Sequence, residues 1–292
     1  MPELPEVETV RRGLQQLVVG RAVAGVDVLN AGSFHAPSPL DGARFVDARR
    51  RAKMLLLDLD DGRCVAVHLK MTGQLVVRGS DDWGGGHPSD SLIGDLPDRS
   101  TRVVLDLDDG GRLFLNDQRK FGWMRVVPRI EADEMTAGLG PEPMDDDAWP
   151  RFRQLVRRHK RTVVKAALLD QGVVAGIGNI YADEALWGAR VHPATRVGAL
   201  SDKALHRVLQ EAADVMTMSI ELGGSTDRNY VDAEGRRGAY LDFARVFRRE
   251  GQPCLRCGTT IVKTRVAGRG THVCPKCQRL PRSDITSHPT VE

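Results

Sequence analysis

Cys254-Leu255-Arg256-Cys257, sixteen intervening residues, then Cys274-Pro275-Lys276-Cys277: this spacing decides how the last forty residues fold. Each Cys-x-x-Cys pair can present two thiolates from one tight knuckle, and two knuckles complete the closed tetrahedral shell that Zn²⁺ takes in structural sites. No ligand position is left for water, so the ion is expected to hold the chain together rather than to do chemistry. Between the knuckles, Gly258 to Val273 carries Lys263, Arg265 and Arg269 among glycine and β-branched residues. One structural zinc with a basic β-hairpin is therefore expected here. Such a hairpin suits a phosphate backbone. The competing readings are a pair of disulfides or a redox Cys-x-x-Cys. Nothing in the chain suggests export, and no βαβ pattern surrounds the motif.

Charge supports a polyanionic partner. Residues up to Pro150 hold 18 Lys+Arg against 25 Asp+Glu, net −7, whereas Arg151 onward holds 24 against 14, net +10. The basic half contains the cysteine module. At 292 residues, 41% hydrophobic and 28% charged, the chain has the make-up of a folded protein of about two domains. It shows no signal-peptide layout and no apolar run long enough for a membrane span, so a cytoplasmic protein without a membrane partner is expected. Cys64, alone in an apolar run, reads as a core thiol.

The remainder divides by period. After Pro5, apolar residues at Val7, Val10, Leu14, Leu17 and Val18, closed by Gly20, predict a helix with one buried face. Short β-type runs follow at Val23 to Leu29, Met54 to Leu59, Cys64 to Leu69, Val103 to Leu107 and Met124 to Val127, with hairpin turns at Asp60-Asp61-Gly62 and Asp108-Asp109-Gly110-Gly111. The stretch from Gly79 to Ser100, rich in Gly, Asp, Ser and Pro, reads as a mobile surface loop. Helices are predicted at about 147–159, 162–169, 180–187 and 202–221. The fold class is α+β: a leading helix, an antiparallel β-sandwich, a helical domain, then the zinc hairpin. Expected boundaries are 2–130 for the sandwich, 131–146 for a linker, 147–242 for the helical domain, 243–282 for the zinc module and 283–292 for a disordered tail.

Two further motifs have chemical potential. Gly172 to Asn179 contains Gly176-Ile177-Gly178 between two helices but lacks the third glycine and preceding strand of a dinucleotide fingerprint, so no nucleotide cofactor is expected. It suits either an anion held at a helix start or a plain helix-helix turn. At the N-terminus, removal of Met1 would give Pro2 a free secondary amine. Such an amine titrates near 8, is partly unprotonated at neutral pH, and can attack a sugar C1′. Glu3 beside it could move protons. Taken alone, the same residues also suit a simple helix lead-in.

In order along the chain, Pro2-Glu3-Leu4-Pro5-Glu6-Val7-Glu8-Thr9, Arg51-Ala52-Lys53, His68-Leu69-Lys70-Met71-Thr72-Gly73, Arg119-Lys120-Phe121-Gly122, Gly176-Ile177-Gly178-Asn179-Ile180-Tyr181-Ala182-Asp183-Glu184 and the four cysteines resemble the formamidopyrimidine-DNA glycosylases. These are bacterial base-excision repair enzymes. The resemblance implies a β-sandwich and a helix-two-turn-helix domain with a zinc finger, acting as a monomer on damaged duplex DNA at the nucleoid. It implies a glycosylase/AP lyase for oxidised purines, 8-oxoguanine and formamidopyrimidines, in which Pro2 forms an iminium intermediate and β- and δ-elimination follow. Glu3 would assist the proton transfers and Lys53 the lyase step. Met71, Arg119 and Phe121 would fill the void left by a flipped base. His68, Asn179 and Arg269, with Lys53, would contact phosphates, Glu184 would help position the substrate, and 225–242 would cap the lesion. The opening with Leu4 fits this branch rather than the endonuclease VIII-like enzymes for oxidised pyrimidines. A non-catalytic zinc-ribbon DNA binder is the other class considered. Lys70, Gln74 and Asn116-Asp117-Gln118 depart from the usual motif forms.

Overall fold

A computed structural model describes residues 2–80, 82–87, 89–224 and 239–281. Chain contacts divide it into two compact units, Met1–Gly138 with Ser219–Leu241, and Leu139–Met218 with Asp242–Glu292.

The first unit opens with helix α1 (Leu4–Leu17), which buries Leu4, Val7, Val10 and Leu14. That is the stripe predicted from the sequence. Its start is fixed by a carboxylate, since the Glu3 backbone N–H donates to Glu6 Oε2 at 2.8 Å, and Pro5 lies in the first turn, where a missing N–H costs nothing. Two five-stranded sheets follow. One has the order β1 (Val23–Val28), β8 (Thr101–Leu107), β9 (Arg112–Asp117), β6 (Gly73–Arg78), β7 (Trp83–Gly86). The other runs β2 (Phe34–His35), β10 (Trp123–Pro128), β5 (Arg63–His68), β4 (Met54–Leu59), β3 (Phe45–Arg51). The pairings are antiparallel except β2 with β10. Leu55, Leu57, Val65, Val67, Leu75, Val77, Val103, Leu105, Leu113, Leu115, Met124 and Val126 form the core.

Two of the strands predicted from β-type runs, β4 and β5, are buried on both faces, whereas β1 is largely exposed. Leu56, Cys64 and Ala66 turn away from the main core and are covered by Ala132 and Met135 of helix α2 (Arg129–Ala137). Residues 131–146, expected as a linker, therefore begin in a helix laid on a sheet. Strand β3 escaped prediction because Arg49 to Arg51 look solvent-facing. Arg49 instead spans Asp58 and Asp133, which holds its guanidinium well above its ordinary pKa, chiefly through the Asp58 hydrogen bond.

The stretch from Gly79 to Ser100 is not the expected surface loop. It contains β7, and Leu92 packs with Val76, Val104 and Phe114 on the outer face of the first sheet. Trp83 is 4% exposed and lies against α1 at Gly13, where a Cβ would fall 2.3 Å from the indole. Polar composition misled because Ser91, Asp98, Ser100 and Thr101 hydrogen-bond among themselves.

The second unit holds α3 (Ala148–Val156), α4 (Val164–Leu169), α5 (Asn179–Gly188), most of α6 (Asp202–Glu221) and the hairpin β11 (Val262–Val266) with β12 (Arg269–Val273). The hairpin turn Ala267-Gly268 has positive φ at both residues, 50° and 74°, the backbone hand that matches strand twist.

Candidate active site and nucleic-acid interface

In the first unit, Pro2 and Glu3 are buried at the start of α1, Glu3 at 2% exposure. Lys53, 8% exposed, sits in the two-residue turn between β3 and β4. These two places are braced through one side chain: Arg50 Nε binds Glu8 Oε2 of α1 at 3.1 Å, and its Nη1 donates to the carbonyl of Ala52 at 3.0 Å. Burial alone would raise the Glu8 carboxyl. Hydrogen bonds from Arg11, Arg12 and Arg50 reverse that and hold it below its ordinary range.

His68 ends β5, and its Nδ1 accepts the Lys70 backbone N–H at 3.0 Å. This fixes the tautomer, leaving hydrogen on Nε2. Burial first, then the charges of Lys70 and Lys53, push its pKa down to about 4. His68 is thus a neutral donor beside two cations.

Met71 lies in the turn Leu69 to Gly73, closed by the Gly73 N–H on the Leu69 carbonyl at 2.9 Å. Arg119 and Phe121 lie in the turn after β9. Phe121 is 52% exposed with the Arg119 guanidinium over its ring at 4.9 Å. An apolar and a cationic side chain are thereby offered together to solvent. Fully buried Asp117 joins these two turns. Its Oδ1 accepts the Thr72 hydroxyl and the Arg119 N–H at 3.1 Å, and its Oδ2 accepts the N–H groups of Phe121 and Gly122 at 2.7 and 2.6 Å. The sequence reading missed this role, although Asp117 stood within a motif departure it singled out. An open pocket of about 640 Å³ along β2 and β10, lined by Phe34, His35, Trp123 and Arg125, contains none of the predicted site residues.

In the second unit, Asn179 begins α5 and donates through Nδ2 to the Gly270 carbonyl at 3.0 Å. Exposed Arg269 is therefore held next to the α5 N-terminus, where backbone N–H groups and the helix dipole favour an anion. Beneath them, fully buried Lys165 binds Asp183 Oδ1 at 2.6 Å, the Gly270 carbonyl at 3.1 Å and Thr271 Oγ1 at 2.8 Å. Asp183 Oδ2 accepts the His272 N–H at 2.9 Å. This buried ion pair went unnoticed in the sequence because Lys165 reads as one more solvated helix charge.

Glu184, expected to help position the substrate, is fully buried. Its oxygens accept the backbone N–H groups of Arg245, Val246 and Phe247 at 2.8–3.1 Å. Burial pushes its carboxyl up against the pull of those donors. In this geometry it anchors the chain at 245–247.

The four cysteine sulfurs lie within 4.8 Å of one another, with Cys254–Cys277 at 4.0 Å and Cys257–Cys274 at 3.5 Å. A tetrahedral shell of Zn–S bonds near 2.3 Å spaces its sulfurs by about 3.8 Å, so the set fits one zinc ion. The spacing is too long for disulfides. Trp187 of α5 packs against Cys254, Cys274 and Ile261 and carries the Arg256 guanidinium 3.9 Å above its ring, which seats the knuckles on the helix. The structural ion is Zn²⁺.

Three family models match the chain: the formamidopyrimidine-DNA glycosylase N-terminal domain over residues 1–124, the formamidopyrimidine-DNA glycosylase H2TH domain over 139–230, and the zinc finger found in FPG and IleRS over 251–280. A formamidopyrimidine-DNA glycosylase of Symbiobacterium thermophilum is 44% identical, across 96% of this chain and 90% of the relative. A crystal structure of a Lactococcus lactis FPG mutant with Fapy-dG containing DNA superposes with a TM-score of 0.83 at 30% identity, covering 95% of this chain and all of that one. A structure of MutM with carbocyclic 8-oxo-G containing DNA gives 0.82, again at 30% identity and with 95% and 100% coverage.

Proposed function

Because the chain belongs to the formamidopyrimidine-DNA glycosylase family, we propose that it excises oxidised purines, 8-oxoguanine and formamidopyrimidines, from duplex DNA and then cleaves the strand through Pro2. It is a base-excision repair glycosylase of bacterial type. The observation that carries the mechanism is the N-terminus. Pro2 adjoins Glu3, the N-cap of a helix whose first turn is pinned by the Glu3–Glu6 contact, so a secondary amine there has a fixed place and little freedom to lose.

With Met1 removed, the unprotonated Pro2 nitrogen attacks C1′ of the damaged nucleotide as the glycosidic bond breaks. The base departs with a proton and the opened sugar is held as an iminium. Abstraction of a C2′ proton expels the 3′ phosphate, and a second elimination expels the 5′ phosphate, leaving a gap with phosphates at both ends. Glu3 is the proton carrier nearest in sequence to the amine, and Lys53 is the cation braced to the same helix through Arg50. The target must leave the stack. Met71 and Phe121 replace its stacking, and Arg119 hydrogen-bonds the unpaired cytosine. Lys53, His68, Asn179 and Arg269 hold phosphates. Of the lesion cap at 225–242, residues 225–238 lie outside the described residues.

Borohydride reduction of the protein on 8-oxoguanine:C duplex should yield an adduct whose modified residue is Pro2. An active, Met1-free preparation that gives no such adduct would refute the lyase mechanism. Faster turnover on thymine glycol than on 8-oxoguanine would move the enzyme to the oxidised-pyrimidine branch. No helix of the described residues is long and apolar enough to cross a membrane, and a chromosomal substrate puts the working enzyme at the nucleoid.

A further inference from the structure

The three side chains read above as void fillers come from two turns that are far apart in sequence. Met71 lies between β5 and β6, and Arg119 and Phe121 between β9 and β10. Each turn contains a lysine forced into the left-handed region, Lys70 at φ 51° and Lys120 at φ 59°. Long side chains rarely adopt that backbone, and they do so where surrounding contacts over-determine the turn. One carboxylate supplies those contacts to both turns. Asp117, 0% exposed, has its two oxygens filled by four donors: the Thr72 hydroxyl, and the N–H groups of Arg119, Phe121 and Gly122. This saturates what a carboxylate can accept. The Thr72 hydroxyl is the cross-link, because besides donating to Asp117 it accepts the Arg119 N–H at 3.1 Å. Asp117 is itself fastened behind, its N–H on the Ser100 carbonyl at 2.8 Å and its carbonyl on Arg102 Nε at 2.7 Å.

We propose that Asp117 and the Thr72 hydroxyl are positioning residues that latch the Met71 turn to the Arg119–Phe121 turn, so that the three side chains enter the duplex as one wedge and Arg119 meets the unpaired base at a fixed angle. This rests on the void-filling reading of those side chains. Neither latch residue touches DNA in this scheme. Both act through the shape of the two turns. The requirement is greatest while a paired base is being extruded, and least where the base has already gone.

The test uses full-length, zinc-loaded, Met1-free protein under single-turnover conditions. Thr72→Val keeps shape and removes the hydroxyl, and Thr72→Ser restores it. The Val variant should excise 8-oxoguanine opposite cytosine roughly tenfold more slowly, the size of effect expected when a buried acceptor loses its donor. Its preference for cytosine over adenine opposite the lesion should shrink. Cleavage of a pre-formed abasic site in the same duplex should stay within about twofold, because no base then has to be extruded. The Ser variant should recover both lesion excision and opposite-base preference. Asp117→Asn, which replaces two accepting lone pairs with donors, should follow the Val variant with a larger loss. Equal losses on lesion and abasic substrates would show a merely structural role and overturn the latch, as would a Val variant indistinguishable from wild type or a Ser variant that restores nothing. Wild-type protein with no activity on either substrate would remove the void-filling reading and the latch with it, whereas active wild type with an indifferent Val variant removes the latch alone.

Discussion

His68 shows how one residue's environment sets what it can contribute. A histidine beside two lysines, with its pKa lowered to about 4, offers a hydrogen bond and no charge. At pH 7.5, His68→Ala should weaken binding to duplex DNA while leaving the dependence of log K on log salt unchanged. Lys53→Gln should reduce that slope by about 0.9, the counterion share of one phosphate contact. Titrations at several salt concentrations separate the two. The same shift has a consequence for stability. Unfolded histidine takes up its proton near pH 6.5, but folded His68 does so only near 4. Between those values the unfolded chain binds more protons, so stability should fall as pH drops through that window. His68→Gln should flatten this acid limb by ~1–3 kcal/mol, read from urea unfolding at pH 4.5 and 7.

At the scale of elements, the knuckles and strand β7 hold the working turns in place. Cys254→Ser removes one of four sulfurs from a closed shell, and metal affinity is folding energy for such a module. The variant should purify with less than stoichiometric zinc and bind duplex DNA more weakly through Arg269, while borohydride trapping at Pro2 persists at high DNA concentration. Full zinc content would contradict the ligand assignment. Strand β7 supports the Met71 turn from behind: the His87 N–H binds the Gly73 carbonyl at 3.0 Å, and the Gln74 amide binds the His87 carbonyl and, at 2.8 Å, Ser89 Oγ. Gln74, a departure from the usual motif, therefore fastens the stretch whose composition suggests a loop. Gly86 has φ 122°, and a Cβ there would lie 2.5 Å from the Gly73 carbonyl oxygen. Gly86→Ala should destabilise the sandwich by about 2 kcal/mol or more through strain and backbone clash, measured by denaturant midpoint.

Across the whole molecule, contacts between distant stretches decide which groups are functional and which are structural. Lys165 and Thr271 are 106 residues apart and hydrogen-bonded, and Lys165→Ala would leave Asp183 buried without its cation. A loss of about 3 kcal/mol is expected, the usual result of removing one partner of a buried pair, with weaker DNA binding as the Gly270 carbonyl keeps only its Asn179 donor. Global unfolding and a binding isotherm check both parts. Much of the molecule was legible in the sequence because the relevant physics is local: the α1 stripe, the doubly buried strands β4 and β5, the Asp60-Asp61-Gly62 turn and the zinc knuckles each follow from spacing within a few residues. The placement of the 79–100 stretch on a sheet face, the inward turn of Glu184 and the joining of Thr72 to Asp117 across 45 residues were not legible. Each depends on which groups meet after the chain has closed on itself, and a polar residue buried with partners has the same one-letter code as one facing water. By itself the sequence determined the chemical inventory and the local elements. Only the tertiary structure decided which carboxylates were consumed as scaffold and which side chains were left facing solvent, because burial and hydrogen-bond partners belong to the folded chain.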